Sequence, residues 1–61
     1  MTQVTNTTEL LATAVEAAQA GDFMTLEELQ GVLEGWMVDE SERELCSRTL
    51  NNLMAMVEEM A

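Results

Sequence analysis

The chain has no histidine, lysine, proline or tyrosine in its 61 residues, and its one cysteine is Cys46. Each absence removes a class of protein. A single cysteine permits no internal disulfide, and without histidine the usual cysteine–histidine zinc site cannot be built, so no metal or cofactor is expected. Without histidine, lysine or tyrosine, only carboxylates remain for acid–base work near neutral pH. Carboxylate pairs can hydrolyse glycosides, but they need a cleft and one raised pKa, and a chain of this length has little interior in which to make a cleft. No enzymatic activity and no catalytic residue are expected. The apolar runs span a few residues, against roughly 20 for a bilayer crossing. The opening stretch, Met1 to Thr8, lacks the basic start and apolar core of a secretion signal, so a cytoplasmic protein is expected.

Charge of one sign is nearly missing as well. Twelve Asp and Glu face two Arg, for a formal net charge of −10. Nucleic acid and anionic membranes would be repelled, which excludes both as direct partners. High net charge favours disorder, but 48% of the residues are apolar, and they recur with helical period. A single acidic helical domain over 1–61 is expected, with 1–6 a flexible start.

Three segments carry the helical pattern. The first spans 7–20: Asn6 can cap it, Glu9 can reach back as the second half of a capping box, and Gly21 suits a left-handed end. Leu10, Leu11, Ala14, Val15, Ala17 and Ala18 share one face, half of them small, so this helix either packs closely through its alanines or holds weakly. The second is expected over 26–37. Thr25 is its cap, Glu28 the capping-box partner, and Met24 with Leu29 the hydrophobic staple. Leu26, Leu29, Val32, Leu33, Trp36 and Met37 fall within about 140° of arc. The third, over 41–60, begins at Asp39 or Ser41. Leu45, Cys46, Thr49, Leu50, Leu53, Met54, Met56, Val57 and Met60 fill about 180° of it, more than one partner helix covers. An all-α three-helix bundle follows, or a helical hairpin whose surplus apolar face closes a homodimer.

Individual residues have competing readings. Cys46 lies on the apolar half of the third helix with no cation to activate it, which makes it core and not a nucleophile. The run Asp39-Glu40-Ser41-Glu42-Arg43-Glu44 lacks the glycine and closing glutamate of a calcium loop and reads as a helix N-terminus, where acids meet the positive end of the macrodipole. Gly31 and Gly35 lie on the acidic face of the second helix; either Gly35 ends that helix, or a partner approaches closely there. Most of the methionines read as core, with Met56 and Met60 nearest a surface, and Trp36 reads as the centre of the bundle.

The charge has a functional reading. Residues 22–44 hold Asp22, Glu27, Glu28, Glu34, Asp39, Glu40, Glu42 and Glu44 against Arg43, a net −7. Two carboxylates about 6 Å apart repel by roughly 0.7 kcal/mol in water, and small domains have only a few kcal/mol to spare. Solubility needs a net charge of only about 2–8. A positively charged surface of a protein or protein–RNA complex is the natural complement, and Glu27, Glu28, Glu34, Asp39, Glu40, Glu42 and Glu44 are the candidate partner-binding residues.

In size, helical acidity and lack of catalytic groups the chain resembles the small inhibitors encoded by phages, anti-CRISPR proteins and other DNA mimics among them. The resemblance covers general character and no diagnostic motif. It implies a protein of the host cytoplasm that blocks a CRISPR effector, a nuclease or another nucleic-acid enzyme by occupying its basic groove. The alternative is an antitoxin, secretion chaperone or adaptor that shields an apolar helix of its partner with the Met-rich face of the third helix.

Overall fold

Hydrogen bonds at the chain's two turns set where its helices begin and end. The computed structural model describes residues 4–60, which form α1 (Thr7–Ala20), α2 (Phe23–Glu34) and α3 (Glu40–Met60). α1 has the expected bounds. The Asn6 side chain accepts from the Glu9 N–H at 2.8 Å, while Glu9 Oε1 reaches past the cap to the Thr5 N–H at 3.0 Å and to the Thr5 hydroxyl. At the other end Gly21 takes φ 72°, a conformation that costs glycine nothing and other residues about a kilocalorie or more. Its N–H bonds the Ala18 carbonyl at 3.1 Å and the Asp22 N–H bonds that of Ala17 at 2.8 Å, a Schellman ending. Part of the expected flexible start, residues 1–3, lies outside the described residues. Thr5 and Asn6 belong to the cap, and Val4 packs against the core.

α2 starts three residues before the expected position. Asp22, not Thr25, caps it: Asp22 Oδ1 accepts from the Thr25 N–H at 3.2 Å, and the Thr25 hydroxyl donates to Oδ2 at 2.6 Å. A carboxylate is the stronger cap acceptor, and the Schellman turn delivers it directly after Gly21. Met24 is therefore 70% exposed and forms no staple with Leu29. The helix closes at Glu34 and not at 37, with Gly35 next. Trp36 and Met37 thus leave the helix. Trp36 packs at the edge of the core and not at its centre, and Met37 stands fully exposed. α3 opens on the Asp39 carbonyl, which accepts from the Arg43 N–H at 2.8 Å.

Each helix packs on both others. Thr7 meets Glu42, and Val15, Ala18 and Gln19 meet Leu53, Met56 and Met60, so α1 and α3 run parallel. Gln30 donates to Asn51 at 3.0 Å and Arg43 to the Glu34 carbonyl at 3.1 Å, which sets α2 antiparallel to α3. The core is Leu10, Ala14, Ala17 and Ala18 from α1, Leu26, Leu29 and Leu33 from α2, and Cys46, Leu50 and Val57 from α3. Ala14, Ala17 and Ala18 of α1 are buried, the close-packed arrangement of the two expected. Val15 and Val32, placed on the inner faces by helical period, are exposed, as are Leu45, Met56 and Met60 on one flank of α3. The apolar half of α3 is thus only partly covered.

Burial of one such leucine contributes about 1.5–3 kcal/mol, so truncation separates the inner from the outer flank of α3. Leu50→Ala, at a fully buried position, is expected to remove about 2–5 kcal/mol, most of what a bundle of this size has. Circular dichroism should then show no cooperative thermal transition. Leu45→Ala, at a position 59% exposed, should melt within a few degrees of the parent.

Candidate interaction surface

All twelve carboxylates of the chain are exposed, but they do different things. Glu9 and Asp22 serve the starts of α1 and α2. The Thr5 hydroxyl, then the Thr5 N–H, hold the Glu9 carboxyl below its ordinary pKa. The Thr25 hydroxyl, then the Thr25 N–H, do the same for Asp22. Asp39, Glu40 and Glu42 gather at the opening of α3, where the macrodipole favours them. Glu42 is turned away from the other candidates, toward α1, where its Oε1 accepts the Thr7 hydroxyl at 2.6 Å.

Both arginines are on α3, and neither is available to α2's acids. The Arg43 guanidinium donates to the backbone carbonyls of Glu34 and Trp36. It thereby caps the C-terminus of α2, whose last turn has no basic residue of its own, and places a cation at the negative end of that helix. Arg48 pairs with Glu44 at 3.2 Å. The two arginines, Glu40, Glu44, Ser47, Asn51 and Asn52 line a broad open concavity of about 640 Å³, a polar face of mixed sign. Glu44 is accordingly compensated.

The outward face of α2 is uncompensated. Leu26, Leu29 and Leu33 point inward, so Glu27, Glu28, Gly31 and Glu34 point out. The helix has no basic residue, and among the described residues no ion pair reaches it. A Cβ built on Gly31 would meet nothing within 4 Å, so bare backbone lies between the three acids. The structure thus groups Glu27, Glu28 and Glu34, sets Asp39 and Glu40 at the turn beyond α2's end, pairs Glu44 internally and assigns Glu42 to α1. The role of Arg43 was not read from the sequence. Its signal is a lone cation shortly after a helix end that lacks one.

Two clefts have apolar side chains in their lining. Thr5, Asn6, Thr7, Trp36, Met37, Val38 and Glu42 surround a cleft of about 290 Å³ at the α2–α3 turn. A second cleft, about 250 Å³, runs between the C-terminal halves of α1 and α3. Cys46 opens on neither: it is buried, and burial, with the Glu42 carboxylate second, pushes its thiol pKa up. No helix among the described residues is long and apolar enough to cross a membrane. No family model matches the chain, and no curated protein or solved structure is significantly similar to it.

Two substitutions test these assignments. A carboxylate with a lowered folded pKa stabilises above its unfolded pKa and loses that contribution as pH falls through the folded value. Asp22→Ala should therefore lower the melting temperature at pH 7, and its deficit should close as pH drops below the ordinary aspartate range of about 3.9. Arg43→Met should cost about 1–3 kcal/mol in urea denaturation by removing charged hydrogen bonds to two carbonyls. Arg48→Met, which breaks only a surface pair, should cost less than about 1 kcal/mol.

Proposed function

We propose that the chain is a non-enzymatic interaction protein that sets the outward face of α2 against a positively charged protein surface and keeps nucleic acid from it, as a DNA-mimic inhibitor does. The observation that carries this reading is three carboxylates around a bare glycine, on a helix with no basic residue of its own, whose acid side chains form no ion pair among the described residues. Helix capping accounts for Glu9, Asp22 and the acids opening α3; it does not account for Glu27, Glu28 and Glu34. From Glu27 to Glu34 is about 10.5 Å along a helix axis, so the three charges have a mean axial spacing of about 5.3 Å. That is a lower charge density than the one phosphate per about 3.4 Å of a single nucleic-acid strand, and about a third of the one per about 1.7 Å of a duplex. The face is nearer in charge density to a single phosphate strand than to a duplex, and Asp39 adds a carboxylate at the α2–α3 turn. The matching target is a strand-holding groove of a CRISPR effector, a nuclease or a similar enzyme.

Charge reversal tests the reading. Glu27→Lys with Glu28→Lys and Glu34→Lys should leave helicity intact, since all three positions are exposed, and should abolish capture of the target from lysate of the source cell. Capture by the parent chain should fail in about 0.5 M salt, where the screening length falls to about 4 Å. Binding that survives both changes overturns the proposal. Gly31→Ala should raise stability by about 0.8–1 kcal/mol. A partner that approaches that backbone closely is recognised by weaker binding to this more stable variant.

A further inference from the structure

The cleft at the α2–α3 turn joins two kinds of surface. Trp36 and Val38 line it, half-buried and packed against the core, and Met37 stands fully exposed between them in sequence. Thr7 and Glu42 bring polar atoms to the same lining. Glu42 Oε1 accepts the Thr7 hydroxyl at 2.6 Å, while Oε2 has no hydrogen-bond or ion-pair partner among the described residues. The volume, about 290 Å³, is just below the roughly 300–1,000 Å³ of small-molecule sites and suits one long side chain.

That lining selects the occupant. An apolar side chain would cover the open carboxylate oxygen of Glu42 and leave a charge without a partner, which is costly. An anion would meet Glu42 directly. The N-termini of α1 and α3 oppose a cation with roughly half a positive charge each, and Arg43, held on the Glu34 and Trp36 carbonyls, adds one more. Glu42, Glu9 in the first turn of α1, and Asp39 and Glu40 at the opening of α3 outweigh them by about two charges. The cleft is therefore negative, and a cation on an apolar stem fits both of its surfaces. We infer that it holds an arginine side chain of a partner protein, the stem on Met37 and Val38 and the guanidinium between Trp36 and the open oxygen of Glu42. Lysine fits less well, because a guanidinium is planar and weakly hydrated and can stack on an aromatic ring while it donates to a carboxylate. The core holds Trp36 in place before a partner arrives, which spares the cost of ordering it. This site does not rest on the reading given to the outward face of α2.

Trp36 is the only tryptophan and the chain has no tyrosine, so its emission reports on the cleft directly. The probe is a short, capped Gly/Ser peptide with one central Arg, titrated at constant ionic strength into the full chain carrying 13C-methyl methionine. A saturable change in Trp36 emission is expected at millimolar peptide, with the Met37 methyl shifting and the exposed Met24 and Met60 methyls unmoved. The same peptide with citrulline, the neutral isostere of arginine, should give no response, and the Lys peptide should bind several-fold more weakly. Glu42→Gln removes the charge and keeps an oxygen for the Thr7 hydroxyl, so the melting curve should stay in place while binding weakens about tenfold. Read from the Met37 methyl, Trp36→Phe should retain binding and Trp36→Leu should lose it. Reversal of Glu27, Glu28 and Glu34 to Lys should leave the response in place, which separates this site from the face of α2. The inference is overturned if the Arg peptide gives no saturable response, if the citrulline or Lys peptide binds as tightly, or if Glu42→Gln binds as the parent does. It is also overturned if all exposed methionines shift alike, which would make the attraction a general one to an acidic chain.

Discussion

A guanidinium held on two backbone carbonyls governs both the packing and the electrostatics of this molecule. Arg43 extends from the first turn of α3 to the last turn of α2 and bonds the carbonyls of Glu34 and Trp36. In doing so it fixes the angle at which the chain turns from α2 into α3, and it satisfies acceptors that a helix end leaves open. It also withdraws one of only two cations from any carboxylate it could have neutralised. With Arg48 occupied by Glu44, the acid side chains of α2 form no ion pair among the described residues. The fold and its unbalanced surface therefore share one cause.

The acids divide by the work that helix ends give them. Parallel α1 and α3 put two positive dipole ends at one end of the bundle, with Glu9, Asp39, Glu40 and Glu42 beside them. Antiparallel α2 puts its positive end at the other, with Asp22 as cap. Such placements offset part of the cost of a −10 chain, because each acid there interacts favourably with unpaired N–H groups. Glu16, Glu27, Glu28 and Glu34, on the flanks of helices, and Glu58 and Glu59, in the last described turn of α3, gain nothing from the backbone. Those six are where the chain's own physics leaves room for another molecule.

How far the sequence could be read depended on whether the deciding interaction was local. α1 was legible to the residue because Asn6, Glu9 and Gly21 act within a turn of the helix they bound. α2 was displaced because two cap residues, Asp22 and Thr25, lie three positions apart, and the carboxylate takes the N–H that the hydroxyl could have competed for. At its other end the helix closes at Glu34 with Gly35 as its cap, which leaves Trp36 and Met37 off the helix and invalidates the period on which their burial rested. On α3 the apolar residues were legible but not which flank faces inward, since that depends on where α1 and α2 lie. The grouping of Glu27, Glu28 and Glu34 follows from spacing alone. The turning of Glu42 to Thr7, 35 residues away in sequence, could not be read from either segment.

Cys46 lies on the inner line of α3, 2% exposed. Its sulfur can reach that of another chain only when the three helices part, so oxidative linkage between molecules is gated by opening of the bundle and not by chance encounter. Covalent pairs that accumulate in a stored sample would be a tally of how often it has come apart.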